Sequence, residues 1–218
     1  MTFSRLPTWW IHNSKTNRKG LFESSILQKN FTAHGNLIGK NISALKCYLA
    51  LVSHINFHTG VSTLTYSQLE EIAGLSRPMV CKGLYCLEKN DLLKIKKDGR
   101  NNIYEIQISL ADFDLWAKLP THIIRNKLRF IPSRGKITLT ALKIYLLLLA
   151  IRNNSETGTS APYDYLEENL SIQRKYINKS LNLLMIFDFI DVIKLNSENQ
   201  EQTHTYNKFR LKGINNEE

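Results

Sequence analysis

The chain is written twice. A shift of 97 residues lays segment 42–97 over 139–194 without a gap. Ala44-Leu45-Lys46 falls on Ala141-Leu142-Lys143, and Tyr48 falls on Tyr145. Tyr66, Leu69, Glu70 and Glu71 fall on Tyr163, Leu166, Glu167 and Glu168. Arg77, Lys82, Leu84 and Leu87 fall on Arg174, Lys179, Leu181 and Leu184. A lead-in repeats as well, at a shift of 113: Leu6-Pro7-Thr8 with Ile11 and Asn13 matches Leu119-Pro120-Thr121 with Ile124 and Asn126. Two copies of one fold are therefore expected, each preceded by its own Leu-Pro-Thr segment. In 218 residues that leaves about 100 per copy, the size of a small domain.

Periodicity gives the elements of the first copy. Ile42–Ile55 carries dense apolar residues on a helical period. Thr59-Gly60 reads as a turn and Ser62–Leu64 as a short strand. Thr65 is a good N-cap for a helix over Tyr66–Ala73, which Gly74 ends. Ser76 is expected to cap the next helix, Arg77 to about Asn90, with Pro78 in its first turn. Leu92–Lys97 alternates as a strand, Asp98-Gly99 signals a hairpin, and Ile103–Ile108 returns. The second copy repeats the order: Thr138 as cap of Leu139–Asn153, then helices Tyr163–Leu170 and about Ile172–Phe187, then strands Phe189–Leu195 and Tyr206–Lys212. The organisation expected is an arm over 1–40, a first domain over 41–108, a linker over 109–137 and a second domain over 138–218.

The stretch LEEIAGLSRPMVCKGLYCLEKNDLLKIKKDGRNNIYEI, residues 69–106, resembles bacterial winged helix-turn-helix domains, and the likeness extends over about 42–108. Glu70 departs from it, since many relatives carry alanine there. The second copy is less similar: Ser171 replaces Gly74 and its wing has no glycine. The resemblance implies a mostly α chain with small β-hairpin wings, an α+β class built as two tandem winged-helix domains. Tandem winged helices with such a lead-in are also similar in architecture to plasmid and phage replication initiators.

A helix of this kind reads DNA with the face turned away from its core. Val80, Leu84 and Leu87 share one stripe, and Gly83 beside them permits close packing. The opposite face carries Pro78, Lys82, Tyr85 and Lys89, with Ser76 and Arg77 at the tip. Such a tip meets base edges in the major groove. Arg77 suits bidentate contact with guanine, and Ser76 at a helix N-terminus suits a phosphate. Lys96, Lys97 and Arg100 stand in or beside the wing, within reach of phosphates. The second copy offers Arg174, Lys175, Asn178 and Lys179 on the matching face.

Charge points the same way. Residues 1–137 hold 20 Lys/Arg against 9 Asp/Glu, while residues 138–218 hold 9 against 10, so the net +10 belongs to the N-terminal part. A field of this sign favours a polyanionic partner. The arm (Arg5, Lys15, Arg18, Lys19, Lys29, Lys40) and the linker (Arg125, Lys127, Arg129, Arg134, Lys136) add cations that could track a phosphate backbone. Trp9-Trp10 reads as an apolar plug onto the first domain. Segments 144–151 and 183–187 are apolar on nearly every side. About 80 residues have too little interior for both, so this surface is expected to meet the first domain, the linker or another chain. The expected partners are double-stranded DNA and, through the second winged helix, a second copy of the chain.

Chemistry is not expected. His54 and His58 stand four apart with no third ligand nearby, so no metal is anticipated, and no glycine loop suggests a nucleotide cofactor. Three cysteines without a CxxC spacing fit reduced thiols, and MTFSRLPTWW lacks the apolar core of a secretory leader. No apolar run approaches a membrane span. A cytoplasmic, non-enzymatic, site-specific DNA binder is therefore expected, as a transcriptional regulator. The alternatives are a plasmid or phage replication initiator and a structural tandem winged-helix subunit that grips protein partners.

Overall fold

The computed structural model of the protein describes residues 3–12, 24–56, 58–98, 101–107, 116–153, 158–194 and 207–214. The chain is mixed α+β. Its elements are β1 (Phe3–Pro7), α1 (Ile26–Asn30), α2 (Leu37–Ser53), β2 (Val61–Ser62), α3 (Tyr66–Ala73), α4 (Arg77–Lys89), β3 (Leu93–Asp98), β4 (Asn101–Ile106), β5 (Trp116–Pro120), α5 (Thr121–Lys127), a 3-10 turn (Leu128–Phe130), α6 (Lys136–Ala150), β6 (Thr159–Ser160), α7 (Tyr163–Leu170), α8 (Arg174–Ile186), β7 (Ile190–Lys194) and β8 (Asn207–Leu211).

Both repeats take the same course. Each has a long central helix (α2 or α6), a short strand, two helices and a hairpin, and each closes a three-stranded antiparallel sheet in the same order, β2-β4-β3 and β6-β8-β7. In the first, Leu93 pairs with Ile106 and Asp98 with Asn101, so the reversal falls at 99–100, outside the described residues. Ile108 of the expected returning strand also lies outside them.

Local chemistry sets the helix ends. At α3 the Thr65 hydroxyl accepts from the Gln68 amide at 3.2 Å, while the Thr65 amide donates to Gln68 Oε1 at 2.8 Å. This reciprocal box satisfies two otherwise orphan donors. Gly74 ends the helix at φ +59°. Its repeat equivalent, Ser171, adopts the same left-handed conformation at φ +48° despite its side chain. Two expected caps are corrected. Helix α6 starts at Lys136, ahead of Thr138, because Gly135 at φ +92° breaks the chain direction there. The Thr138 hydroxyl bonds back to the Arg134 carbonyl at 2.9 Å instead. Ser76 holds the N-cap position of α4, but its side chain makes no capping bond.

The two copies are docked reciprocally. Strand β1 pairs antiparallel with β5 in a register centred on Arg5 opposite Lys118. These residues are equivalent in the lead-in repeat, so the pairing has local two-fold symmetry. Arg5 stacks over Trp116 at 4.9 Å and Lys118 over Phe3 at 5.1 Å, which are equivalent contacts. Beneath this ribbon α2 packs against α6. The side chains of Leu139 to Leu149 are buried all round, so the first copy supplies the cover that the second copy's central helix requires. Each central helix also sends a buried lysine across. Lys46 Nζ donates to the carbonyl of Ile131 at 2.7 Å, and Lys143 Nζ donates to the carbonyl of Phe31 at 3.0 Å. Each acceptor directly follows the short helical turn that precedes the other copy's central helix. Lys46 further reaches Ser133 Oγ at 3.4 Å, whose hydroxyl donates to the Gly74 carbonyl at 3.1 Å. Lys143 reaches the Leu170 carbonyl at 2.5 Å. The carbonyls at the ends of α3 and α7 are thereby satisfied by their neighbours.

The N-terminal segment is part of this body. Trp10 is fully buried against Phe31 and Tyr48, as the plug reading expects, and its Nε1 donates to the Tyr48 hydroxyl at 3.0 Å. In the second copy Ile123 stands in place of Trp10, and the Tyr145 hydroxyl is buried without a hydrogen-bond partner among the described residues. Tyr145 packs edge-on against Phe189. The asymmetry gives opposite expectations for one chemical change. Tyr48→Phe strands the Trp10 donor and costs about 1–3 kcal/mol in urea unfolding, whereas Tyr145→Phe is neutral or stabilising. Equal losses would contradict the assignment.

Burial pushes the ammonium groups of Lys46 and Lys143 down to about 8 from 10.5. Between those values the folded protein binds fewer protons than the unfolded chain, so each lysine's contribution to stability rises with pH there. Wild type should gain about 2 kcal/mol on Lys46→Met between about pH 8 and about pH 10. Parallel urea titrations of the two proteins would test this, and a pH-independent difference would place Lys46 in water.

Candidate nucleic-acid interface

The strongest surface constellation stands on α4, and its placement follows from what the helix buries. Val80, Gly83, Leu84, Cys86 and Leu87 face inward against α2. A Cβ on Gly83 would lie 2.8 Å from the carbonyl carbon and oxygen of Ser43, so the two helices meet backbone to backbone. At the repeat-equivalent position α8 carries Ser180, buried, whose hydroxyl donates to the Ile137 carbonyl at 2.9 Å. A small residue is needed at both crossings.

This contact turns the other face of α4 to solvent. Ser76, Arg77, Pro78, Cys81, Lys82, Tyr85, Glu88 and Lys89 are exposed. The face therefore holds every residue expected there, with Cys81 and Glu88 in addition. Tyr85 is 62% exposed, an unusual state for a large aromatic, and the Lys40 ammonium stands 5.6 Å from its ring centre. Lys40 reaches this face because α2 begins at Leu37, ahead of the Ile42 start that the apolar pattern suggests. At the tip, the Arg77 guanidinium lies 4.9 Å over the ring of Tyr66, with Nη1 3.8 Å from Glu70 Oε2. In the hairpin, Lys94, Lys96 and Lys97 are exposed. Lys96 is tied to Glu105 across the strands at 2.7 Å, while Arg100 lies outside the described residues.

The second copy builds a related but less basic surface. Arg174, Lys175, Asn178 and Lys179 are exposed on α8. Asn178 accepts a hydrogen bond from the Tyr163 hydroxyl, and Lys175 stacks on Tyr176 at 5.3 Å. Arg174 is held by two carboxylates. Its Nη1 bonds Asp164 and lies 3.3 Å from Glu167 Oε2, and its amide donates to Glu167 Oε1 at 2.8 Å. The hydrogen bond and charge of Asp164 raise the guanidinium pKa further. Segment 183–187 is only partly covered by the chain itself: Ile186 is 75% exposed and Met185 37%. The helix ends at Ile186, and the chain turns through the left-handed Asp188 two residues on.

The connecting cations are only partly available to a ligand. Arg125 donates to the Ser53 carbonyl and so caps the end of α2. Lys127 pairs with Asp188, whose carboxyl it holds below the usual range, and Lys212 bridges Asp188 and Asp191. Arg129 lies over Phe130, while Arg134 and Lys136 are exposed. Lys15, Arg18 and Lys19 lie outside the described residues. Among the described residues no group of three or more His, Cys, Asp and Glu side chains converges as metal ligands would. Among the same residues no helix is long and apolar enough to cross a membrane.

No family model matches the chain, and no curated protein is detectably similar to it. The assignment of this surface therefore rests on its own chemistry. Its dependence on the α2–α4 contact is testable. Gly83→Ala must push α4 away from the Ser43 backbone, at a cost of about 1–3 kcal/mol in denaturant unfolding. Wild-type stability in that variant would refute the close crossing.

Proposed function

We propose that the chain is a pair of tandem winged-helix domains that binds double-stranded DNA at specific sites, acting as a transcriptional regulator. One observation carries the reading: α4 is seated on α2 so that its outward face presents Arg77, Lys82, Tyr85 and Lys89, at a helix start where the Ser76 side chain makes no capping bond. In this reading α4 enters the major groove, with Arg77 at a base edge and Ser76 at a phosphate. Lys96, Lys97 and Arg100 of the first wing, and Lys40 beside Tyr85, neutralise flanking phosphates. The repeat-equivalent face of α8, with Arg174, Lys175, Asn178 and Lys179, supplies a second and weaker contact.

The reciprocal docking supports a single chain as the working unit. It joins two reading helices in one body and uses the apolar face of α6 internally. Association of two chains through the second winged helix is left with the smaller patch at Met185 and Ile186. Sedimentation of the DNA complex separates one chain per site from two. A replication initiator would use the same DNA-binding chemistry on an iterated array, so the arrangement of the selected sites distinguishes it from a regulator. A protein-gripping structural subunit would select no duplex at all.

The decisive experiment is enrichment of duplexes from a random pool, followed by titration of the best one. Arg77→Ala should weaken that site by about 1–3 kcal/mol and relax one base preference. Raising salt from about 50 to about 200 mM should weaken wild-type binding on the order of a thousandfold, as expected for about six neutralised phosphates. Undiminished binding by Arg77→Ala,Lys82→Ala would remove α4 as the reader.

A further inference from the structure

One arrangement at the reader tip occurs twice. In the first copy Arg77 lies over Tyr66 and beside Glu70. In the second, Arg174 lies over Tyr163 at 5.7 Å and beside Glu167. The two trios occupy equivalent places in the repeat. Around them the copies have diverged: Ser76 against Gln173, Gly74 against Ser171, and Thr65 against Pro162. In each copy the tyrosine and the glutamate stand four residues apart on the preceding helix, so they share the face that meets the arginine.

We infer that Tyr66 with Glu70, and Tyr163 with Glu167, are positioning residues that hold Arg77 and Arg174 each in register with a guanine. This inference rests on the DNA-binding reading proposed above. A carboxylate at a DNA-facing tip carries a cost. Glu70 and Glu167 repel phosphate and so reduce general affinity for DNA. What they supply is orientation. A free arginine samples many rotamers, and a bidentate base contact requires its planar fork in one of them. The ring fixes the plane of the guanidinium, and the carboxylate engages Nη1 in both copies. The Nε–Nη2 edge is left as the donor pair for O6 and N7 of guanine. The second tip adds Asp164 where the first has Ser67. Asp164 bonds the same Nη1, so Arg174 is held from two sides and depends less on Glu167 alone.

The inference predicts opposite changes in two affinities of one protein. Glu70→Gln keeps the size of the side chain and removes its charge. Binding to the duplex enriched from a random pool should fall about fivefold, the low end for loss of a bidentate base contact. Binding to random-sequence duplex should stay level or rise. Tyr66→Phe should retain discrimination and Tyr66→Ala should lose it, with the midpoint of urea unfolding as the control for folding. Glu167→Gln should have the smaller effect, and Asp164→Ser,Glu167→Gln should restore a loss of the size seen for Glu70→Gln. A ratio of specific to random binding that Glu70→Gln leaves unchanged, while Arg77→Ala lowers it, overturns the positioning role and leaves the DNA reading intact. Parallel loss of both affinities with a lowered unfolding midpoint also overturns it, as a structural effect. A ratio unmoved by Arg77→Ala,Arg174→Ala removes the two arginines as base readers and with them the positioning role, whereas failure to enrich any duplex defeats the DNA reading itself.

Discussion

Two buried ammonium groups hold the protein's halves in one arrangement. An amine removed from water needs acceptors at the right distance, and here every acceptor comes from chain that the lysine's own helix does not contain. Lys46 needs Ile131, which fixes the run before α6 against the end of α3. Lys143 needs Phe31, which fixes the run before α2 against the end of α7. A shift of either central helix would strand a buried charge. Apolar packing of α2 on α6 is non-directional and would tolerate sliding; the lysines select one register.

Everything on the surface inherits that register. Helix α4 is pressed onto α2 at Gly83, and α8 onto α6 at Ser180. The two outward faces are therefore held relative to each other through contacts that reach the backbone. A flexible linker between independent domains would instead leave the spacing of the faces free. The charge asymmetry of the chain is laid over this near-symmetric frame. The frame repeats, but the second tip carries Asp164 and the first carries Ser67, so the two faces are unequal in field while equal in placement.

What could be read from the residues follows from the range of the interactions. Helices α3 and α7 lie where their patterns place them, because apolar spacing acts within one turn and, at α3, so does the Thr65 capping box. The buried and exposed faces of α4 were equally legible from the positions of Val80, Leu84 and Leu87. The N-terminal segment was legible only in part: the Trp9-Trp10 pair marks a plug, but the strand ahead of it pairs with residues more than a hundred positions away, and no local pattern encodes such a partner. The lysines were visible within the Ala-Leu-Lys match, yet a lysine is ordinarily a surface residue and nothing adjacent marks these two as buried. The signal available was a single cation inside an otherwise apolar helix, present at the same place in both copies. The tyrosine, glutamate and arginine of each tip also matched across the repeat, but their convergence depends on the angle between two helices.

The reciprocal docking has a consequence for how the chain is made. A ribosome delivers the first unit well before the second, and ordinarily an N-terminal domain can finish folding while the rest is still being synthesised. Here it cannot. Strand β1 has no partner until residues 116–120 appear, and the Lys46 ammonium has no acceptor until residue 131 does. Contacts of this sequence separation are slow to form, because a long loop must close before they contribute. For that interval the nascent chain carries an unpaired strand edge and an uncovered apolar helix, both of which invite other chains. Translation speed and chaperone access over the stretch between the two copies therefore bear on the yield of this protein.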